Sequence, residues 1–240
     1  MSSPIHYLHL RPAQFAERLN RRAVGYLPLG TIEWHGPQNP LGGDALISEH
    51  LFERCARRFG GIVFPPLFLG PDRLKGDGED SLNGMDYLFR RPEYVEQQLT
   101  GSCYWAPEGL YLLMVEQVIA NAKRIGFKAI VADGHGPSRW TFNAYVERWE
   151  EQYGIVLIGA KHRMEEGWRT QMDHAAKNET SLMLAAHPAD VDMAELPSDR
   201  TEWPKGVGGE DPRDSSAEHG ETLFEETVEL IGRALERAGV

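Results

Sequence analysis

Short apolar runs alternate along this chain of 240 residues with longer stretches in which hydrophobic side chains recur every third or fourth position. Residues 23–29 (AVGYLPL) form one such run, closed by Gly30, the pattern of a buried strand that feeds a loop. From 44 to 59, Ile47, Leu51, Cys55 and Phe59 recur at four-residue spacing and line one face of a helix that Asp44 is suited to cap. Residues 61–70 (GIVFPPLFLG) predict a second strand, which Pro65 and Pro66 bend or end. A helix over 109–125, a turn at Gly126 and a strand over 128–132 come next. That strand runs into Asp133-Gly134-His135-Gly136-Pro137, and a helix over 138–153 follows. A strand at 155–158, a helix over 178–186 capped by Asn178 or a neighbour, and an amphipathic helix over 216–238 complete the pattern. Acids concentrate in the first half of that last helix, where the helix dipole favours them.

Strands alternating with helices predict a single α/β domain over residues 1–240, with a mostly parallel sheet flanked by helices on both faces. Residues 70–105, rich in Gly, Asp and aromatics, and 196–215, a loop of Pro, Gly and acids, break the alternation. Long irregular loops in a compact domain are usually functional or mobile. No internal repeat or low-complexity tract is present.

Composition narrows the function. The length suits one domain, and 41% hydrophobic with 25% charged residues is the ordinary globular mix. A net charge of -11 without a Lys/Arg stripe excludes a nucleic-acid partner. No apolar run of about 18 residues exists to span a bilayer. The first residues, MSSPIHYLHLRPAQF, lack a basic region leading into an apolar stretch, so no membrane partner and a cytoplasmic location are expected. Cys55 and Cys103 are too few for a disulfide scaffold and are expected as reduced thiols.

Three clusters carry candidate chemistry. In Gly30-Thr31-Ile32-Glu33-Trp34-His35-Gly36-Pro37, the two-residue side-chain period of an extended segment points Glu33 and His35 to one side. The Gly- and Pro-containing loop 38–43 allows a tight reversal that brings Asp44 back to them. His135 stands where an apolar strand stops and a helix follows, the usual place of a binding crevice in open α/β sheets. Its flanking glycines, Gly134 and Gly136, would let backbone come close to an ion or substrate. Carboxylates and imidazoles without nearby Cys match the donor preference of Zn²⁺, Mn²⁺ or Fe²⁺. In the third cluster, Asp173-His174 precedes Glu179-Thr180-Ser181. Glu179 falls in a first helical turn, as a further ligand or a helix-start acid, and His174 is a candidate for proton transfer.

In this order, GTIEWHGPQNPLGGD, DGHGPSRW, HAAKNETSLML and VGGEDPRDSSAEHGE resemble the creatininase (creatinine amidohydrolase) family over nearly the whole chain. The resemblance implies a single α/β domain with a parallel sheet, assembly as a homohexamer, divalent ions, and hydrolysis of ring or formyl amides. It matches Glu33, His35, Asp44 and His135 to metal ligands, with Asp44 bridging if two ions are bound. It matches His174 to a catalytic histidine and Glu179 to an acid near the metals. The chain also departs from creatininase itself, which has a second-metal carboxylate where Pro137 stands. Either a second ion uses Glu179 or only one ion is bound. The Trp and Asp beside that enzyme's substrate are replaced by Thr170 and Gln171, with Trp168 close but out of step, so creatinine as the substrate is not implied. Residues 72–98 form an insertion ahead of Leu99-Thr100-Gly101-Ser102, expected as a lid or pocket wall with Asp77, Glu79, Asp86 and Arg90 as polar contacts.

The expected function is therefore a metal-dependent hydrolase holding one or two ions, Zn²⁺ first, with Mn²⁺ or Fe²⁺ as alternatives. Water acidified by the ion to a pKa of about 7 attacks a carbonyl of a small cyclic or formyl amide. His174 then protonates the leaving group, and Glu179 assists. A ring-opening or C–C hydrolase of a cyclic polyol ketone such as 3-dehydro-scyllo-inosose is the alternative, and a non-catalytic metal- or sugar-binding subunit is a third. No Gly-x-Ser-x-Gly elbow supports a serine triad. Trp34, Ser102, Tyr104 and Trp168 divide between pocket and core.

Overall fold

The first apolar run becomes β1 (Val24–Leu29), whose six residues are all buried. The computed structural model of the chain describes residues 4–89, 95–159, 162, 170 and 172–240. Before β1 comes α1 (Pro12–Arg21), a helix outside the sequence-based expectation, which packs on the core only through the partly buried Phe15 and Leu19. After it come α2 (Gly43–Phe59) and β2 (Ile62–Val63). The described residues of the 70–105 stretch are irregular apart from short 3₁₀ turns and a small antiparallel hairpin of β3 (Leu74–Lys75) and β4 (Leu82–Asn83). Then α3 (Glu108–Ile125), β5 (Ala129–Gly134), α4 (Gly136–Tyr153), β6 (Val156–Ile158), α5 (Lys177–Ala186) and α6 (Ala217–Arg237) complete the chain. The main sheet runs β2-β1-β5-β6, and each of its pairs is parallel.

The two-residue period of the strands divides the core. Val24, Tyr26, Ala129 and Val131 face α2, α5 and α6. Leu27, Leu29, Ile130 and Ala132 face α3, α4 and α1. Helices thus cover both faces, as the alternation predicts. Three local details differ from the pattern-based reading. Strand β5 extends to Gly134 because Asp133 and Gly134 still pair with Pro28 and Leu29. Asp44 is not the cap of α2; Gly42 occupies that position and Asp44 lies in the first turn. Asn178 lies inside α5, whose cap position is Ala176, and the Asp173 carboxylate accepts the N–H groups of Asn178 and Glu179 at 2.8 and 3.0 Å. No helix of the described residues is long and apolar enough to cross a membrane.

Candidate metal centre

Leu29 lies level with Gly134 across the β1–β5 pair, so the segments leaving both strands share one edge of the sheet. The His135 N–H donates to the Leu29 carbonyl at 2.7 Å, which fixes where the His135 ring starts. Only glycine fits at 134. Its φ is +146°, and a Cβ would meet Leu29 C at 2.5 Å and N at 2.9 Å, with the carbonyl oxygen closer still. This glycine therefore makes room for the neighbouring strand, not for an ion or substrate as the sequence suggests. At Gly136 a Cβ would find Trp140 at 3.8 Å, an ordinary contact.

The His135 Nδ1 lies 3.2 Å from Glu33 Oε1 and 3.1 Å from Asp44 Oδ2. On its other side Asp44 Oδ2 is 3.5 Å from His35 Nε2, which is 3.9 Å from Glu179 Oε2. Asp44 thus belongs to two sets of converging donors, Glu33–Asp44–His135 and His35–Asp44–Glu179, and Glu33–His35–His174 form a third. The Nδ1 of His35 meets the Glu33 carbonyl at 3.0 Å, so that nitrogen carries the proton and donates it. Its Nε2 is buried without any hydrogen bond, aimed between two carboxylates. A buried nitrogen in that state is costly, and a cation among carboxylate and imidazole donors is what it fits. Glu33, His35, Asp44, His135 and Glu179 are all buried.

The elements that deliver these groups explain their convergence. The loop after β1 is stapled to the start of α5 by Gln38, whose Nε2 donates to the Ala175 carbonyl at 2.7 Å and to Thr180 Oγ1 at 2.9 Å. Asn39 donates to the same hydroxyl. Glu179, in the first turn of α5, turns its Oε2 back onto the Ala175 N–H at 2.6 Å. The His174 ring packs against that of His35 at a tilt of 44° with ring centres 4.6 Å apart, and its Nε2–H donates to the Trp34 carbonyl at 2.8 Å.

Proximity of carboxylates and imidazoles sets the protonation of the cluster. Burial opposes charge on His35, but Asp44 and Glu179 outweigh it and lift its pKa to about 10. His135 is likewise raised against burial by Glu33 and Asp44. Burial works against the charge on Asp44 and Glu33 too, yet the imidazoles, His35 and His135 for Asp44 and His135 for Glu33, hold both carboxyls below the usual range. In Glu179, burial, reinforced by Asp44, raises the carboxyl well above its ordinary value. Burial and the adjacent His35 depress His174 to about 4, so it is neutral at pH 7.

A cavity of about 610 Å³ opens over the cluster and touches Glu33, Asp44, His135, His174 and Glu179, with His35 behind them. Its outer wall is Met85, Leu88, Phe89, Trp140 and Met172, with Arg73 and Arg139. The insertion therefore supplies pocket wall, through Arg73, Met85, Leu88 and Phe89 rather than Asp77, Glu79 or Asp86. Asp77 and Glu79 are exposed, and Asp86 holds its own loop by accepting the N–H groups of Asn83 and Leu99 at 3.0 and 2.7 Å. Arg90, Trp168 and Gln171 lie outside the described residues. Thr170 lines the cavity and donates to Asp133 at 2.9 Å. Ser102 accepts the Trp34 N–H at 2.8 Å, and Tyr104 is exposed. Asp72, which carries no role in the sequence reading, lies with its Oδ2 3.6 Å from His135 Nε2. Spacing could not reveal it, because it arrives on the irregular segment after β2.

A family model for creatinine amidohydrolase matches residues 9–235. The chain belongs to the creatininase family. With that membership it is a metal-dependent hydrolase. No curated protein sequence matches the chain significantly. Among solved structures, this creatininase-family chain is similar to creatinine amidohydrolase, with a TM-score of 0.74 at 20% identity over 99% of this chain and 98% of the other. A creatininase mutant of Zn–Zn type gives 0.74 at 20% identity over 99% of both chains. A putative creatinine amidohydrolase from Bacteroides fragilis NCTC 9343 gives 0.69 at 19% identity over 98% of this chain and 97% of that one. At these identities the likeness establishes the shared fold.

Proposed function

We propose that this creatininase-family chain hydrolyses the carbonyl–nitrogen bond of a small cyclic or formyl amide at a centre of two divalent ions. Glu33, Asp44 and His135 would hold one ion, and His35, Asp44 and Glu179 the other. The observation that carries this reading is Asp44, shared by two donor sets beside the unbonded, buried Nε2 of His35. Pro137 lines the cavity and offers no donor, while Glu179 stands within reach of His35. Oxygen and nitrogen donors suit Zn²⁺ and also Mn²⁺, and solved neighbours carry the descriptions Zn–Zn type and Mn.

A divalent ion held there supplies an acidified water and polarises a carbonyl. His174 does the proton work. It is neutral at pH 7 with Nε2–H committed to Trp34, so Nδ1 accepts a proton and returns it to the leaving nitrogen. The outer wall of Met85, Leu88, Phe89, Trp140 and Met172 suits an amide with an apolar body, while Arg73, Arg139 and Asn143 on the same lining offer polar partners to the polyol-ketone alternative.

The test is turnover of cyclic amides, formamides and keto-inositols by chelator-stripped protein before and after addition of Zn²⁺ or Mn²⁺. Amide hydrolysis restored by metal is the expected result. Turnover confined to keto-inositols would overturn the bond assignment, and stoichiometric metal with no turnover would favour the binding subunit.

A further inference from the structure

The segment that follows β2 turns one more carboxylate onto the centre. It runs beside the end of β1, with Gly30 N–H bonded to the Leu67 carbonyl at 2.7 Å, and so reaches His135 at Pro71 and Asp72. The Asp72 side chain is only 7% exposed. Its Oδ1 accepts the Arg73 N–H at 2.6 Å, an ordinary local turn contact. Its Oδ2 does something else. It faces His135 Nε2 at 3.6 Å, beside the Pro71 carbonyl, which accepts that nitrogen's proton at 3.2 Å.

The fold builds a slot for that carboxylate. Gly84, returned by the β3–β4 hairpin, bonds its N–H to the Arg73 carbonyl at 2.8 Å. Its φ is +51°, and a Cβ there would lie 2.6 Å from Asp72 Cγ and closer still to Oδ2. The glycine thus leaves room for the Asp72 carboxylate beside His135. Imidazoles that bind metal through one nitrogen generally give the N–H of the other to a carboxylate or carbonyl, which fixes tautomer and ring angle.

We propose that Asp72 is a positioning residue of the metal centre: its carboxylate faces the Nε2–H that His135 gives to the Pro71 carbonyl, favours that tautomer, and so leaves Nδ1 aimed at the ion shared with Asp44. This rests on the reading of His135 as a ligand. Asp72 acts through His135, and with Gly84 it ties the start of the insertion to the centre.

The experiment is Zn²⁺ affinity by competition with a chromogenic chelator, on the full chain and on Asp72→Ala, Gly84→Ala and the double variant. Loss of an outer partner of this kind typically weakens metal binding about 10–100-fold. Asp72→Ala should fall in that range, and Gly84→Ala should weaken binding in the same sense although Asp72 is still present. The double variant should bind no worse than Asp72→Ala alone, because the added Cβ then has no carboxylate to displace. Thermal unfolding without metal separates a general loss of stability, which would lower melting and leave affinity intact. Unchanged Zn²⁺ affinity in Asp72→Ala, or losses that multiply in the double variant, would overturn the proposal while leaving the metal assignment standing. A native chain that takes up neither Zn²⁺ nor Mn²⁺ would sink both.

Discussion

Replacing Gly134 by Ala tests the link between strand pairing and the site most directly. The new Cβ would overlap the Leu29 backbone, whose C and N atoms would lie 2.5 and 2.9 Å away. Comfortable carbon–oxygen contact needs about 3.3 Å, so β1 and β5 must separate at their carboxyl ends. Three costs add. Overpacking in a filled interior costs about 1–3 kcal/mol. A residue with a side chain in this glycine-only backbone region costs about 1–3 kcal/mol. Loss of the His135 N–H to Leu29 bond removes about 1 kcal/mol. The expected destabilisation is therefore about 5 kcal/mol, a large part of the 5–15 kcal/mol typical of a domain. Because the displaced residue precedes His135, Zn²⁺ affinity should fall as well. Urea unfolding gives the first number and chelator competition the second. Gly136→Ala is the control, since its Cβ meets nothing nearer than 3.8 Å, and it should stay within about 0.5 kcal/mol of the native chain. If Gly134→Ala unfolds within about 1 kcal/mol of the native protein and keeps its Zn²⁺ affinity, the argument that strand register sets the site is wrong.

Other consequences are simpler. His174→Ala should keep its metal while kcat falls about 100-fold or more, the usual size of an acid–base contribution, and an unchanged rate removes His174 from the chemistry. Cys55 is buried, and burial pushes its thiol up, whereas Cys103 is exposed. A thiol reagent should therefore titrate one group in the native protein and two after unfolding. Asp133 is fully buried, and burial raises its pKa to about 6 although Arg139 and Thr170 favour the charge. With the folded value above the unfolded one, its contribution is fully present below about pH 4 and is lost as pH rises through 6. About two pKa units amount to about 3 kcal/mol. Asp133→Asn should gain that much relative to the native chain between pH 4 and 7 in urea midpoints, and parallel curves for the two proteins would contradict the burial argument.

The parts of the fold set by periodicity were legible: the apolar runs became β1, β5 and β6, and Ile47, Leu51 and Cys55 do line the buried face of α2. Helix α1 was not, because only two of its apolar side chains touch the core and both stay partly exposed. His135 stood out because a strand ends there at the usual edge of a binding crevice, and residue types with the creatininase resemblance singled out Glu33, His35, Asp44, His174 and Glu179, which the fold brings near it. Gln38 was passed over although it ties two of the motifs together. A polar residue in a Gly- and Pro-rich loop gives no hint that it will be buried. Asp72 was invisible for another reason, since its partner lies 63 positions away and depends on a hairpin with two residues per strand. Such pairing leaves no period to read.

The charge balance of the cluster makes metal binding pH-dependent, with a sign that can be worked out. Asp44 and Glu179 raise His35 to about 10, and Glu33 and Asp44 raise His135, in both cases against burial. A raised folded pKa means that the proton's contribution to stability is fully present below the ordinary 6.5 and is lost as pH rises through about 10. Without metal, the chain should therefore lose this stabilisation across that window. A divalent cation provides the same compensating charge but needs the bare ring nitrogens, so its binding must expel the protons. Each proton expelled makes the affinity rise about tenfold per pH unit, and two imidazoles make it about 100-fold. Zn²⁺ titrations between pH 7 and 9, in buffers of different ionisation enthalpy, measure slope and proton count together. The rise in melting temperature on adding Zn²⁺ should also grow with pH, because binding to the folded state stabilises it by mass action. A pH-independent affinity with no proton release would mean that these imidazoles are not what meets the cation, and the two-ion centre around Asp44 would have to be abandoned.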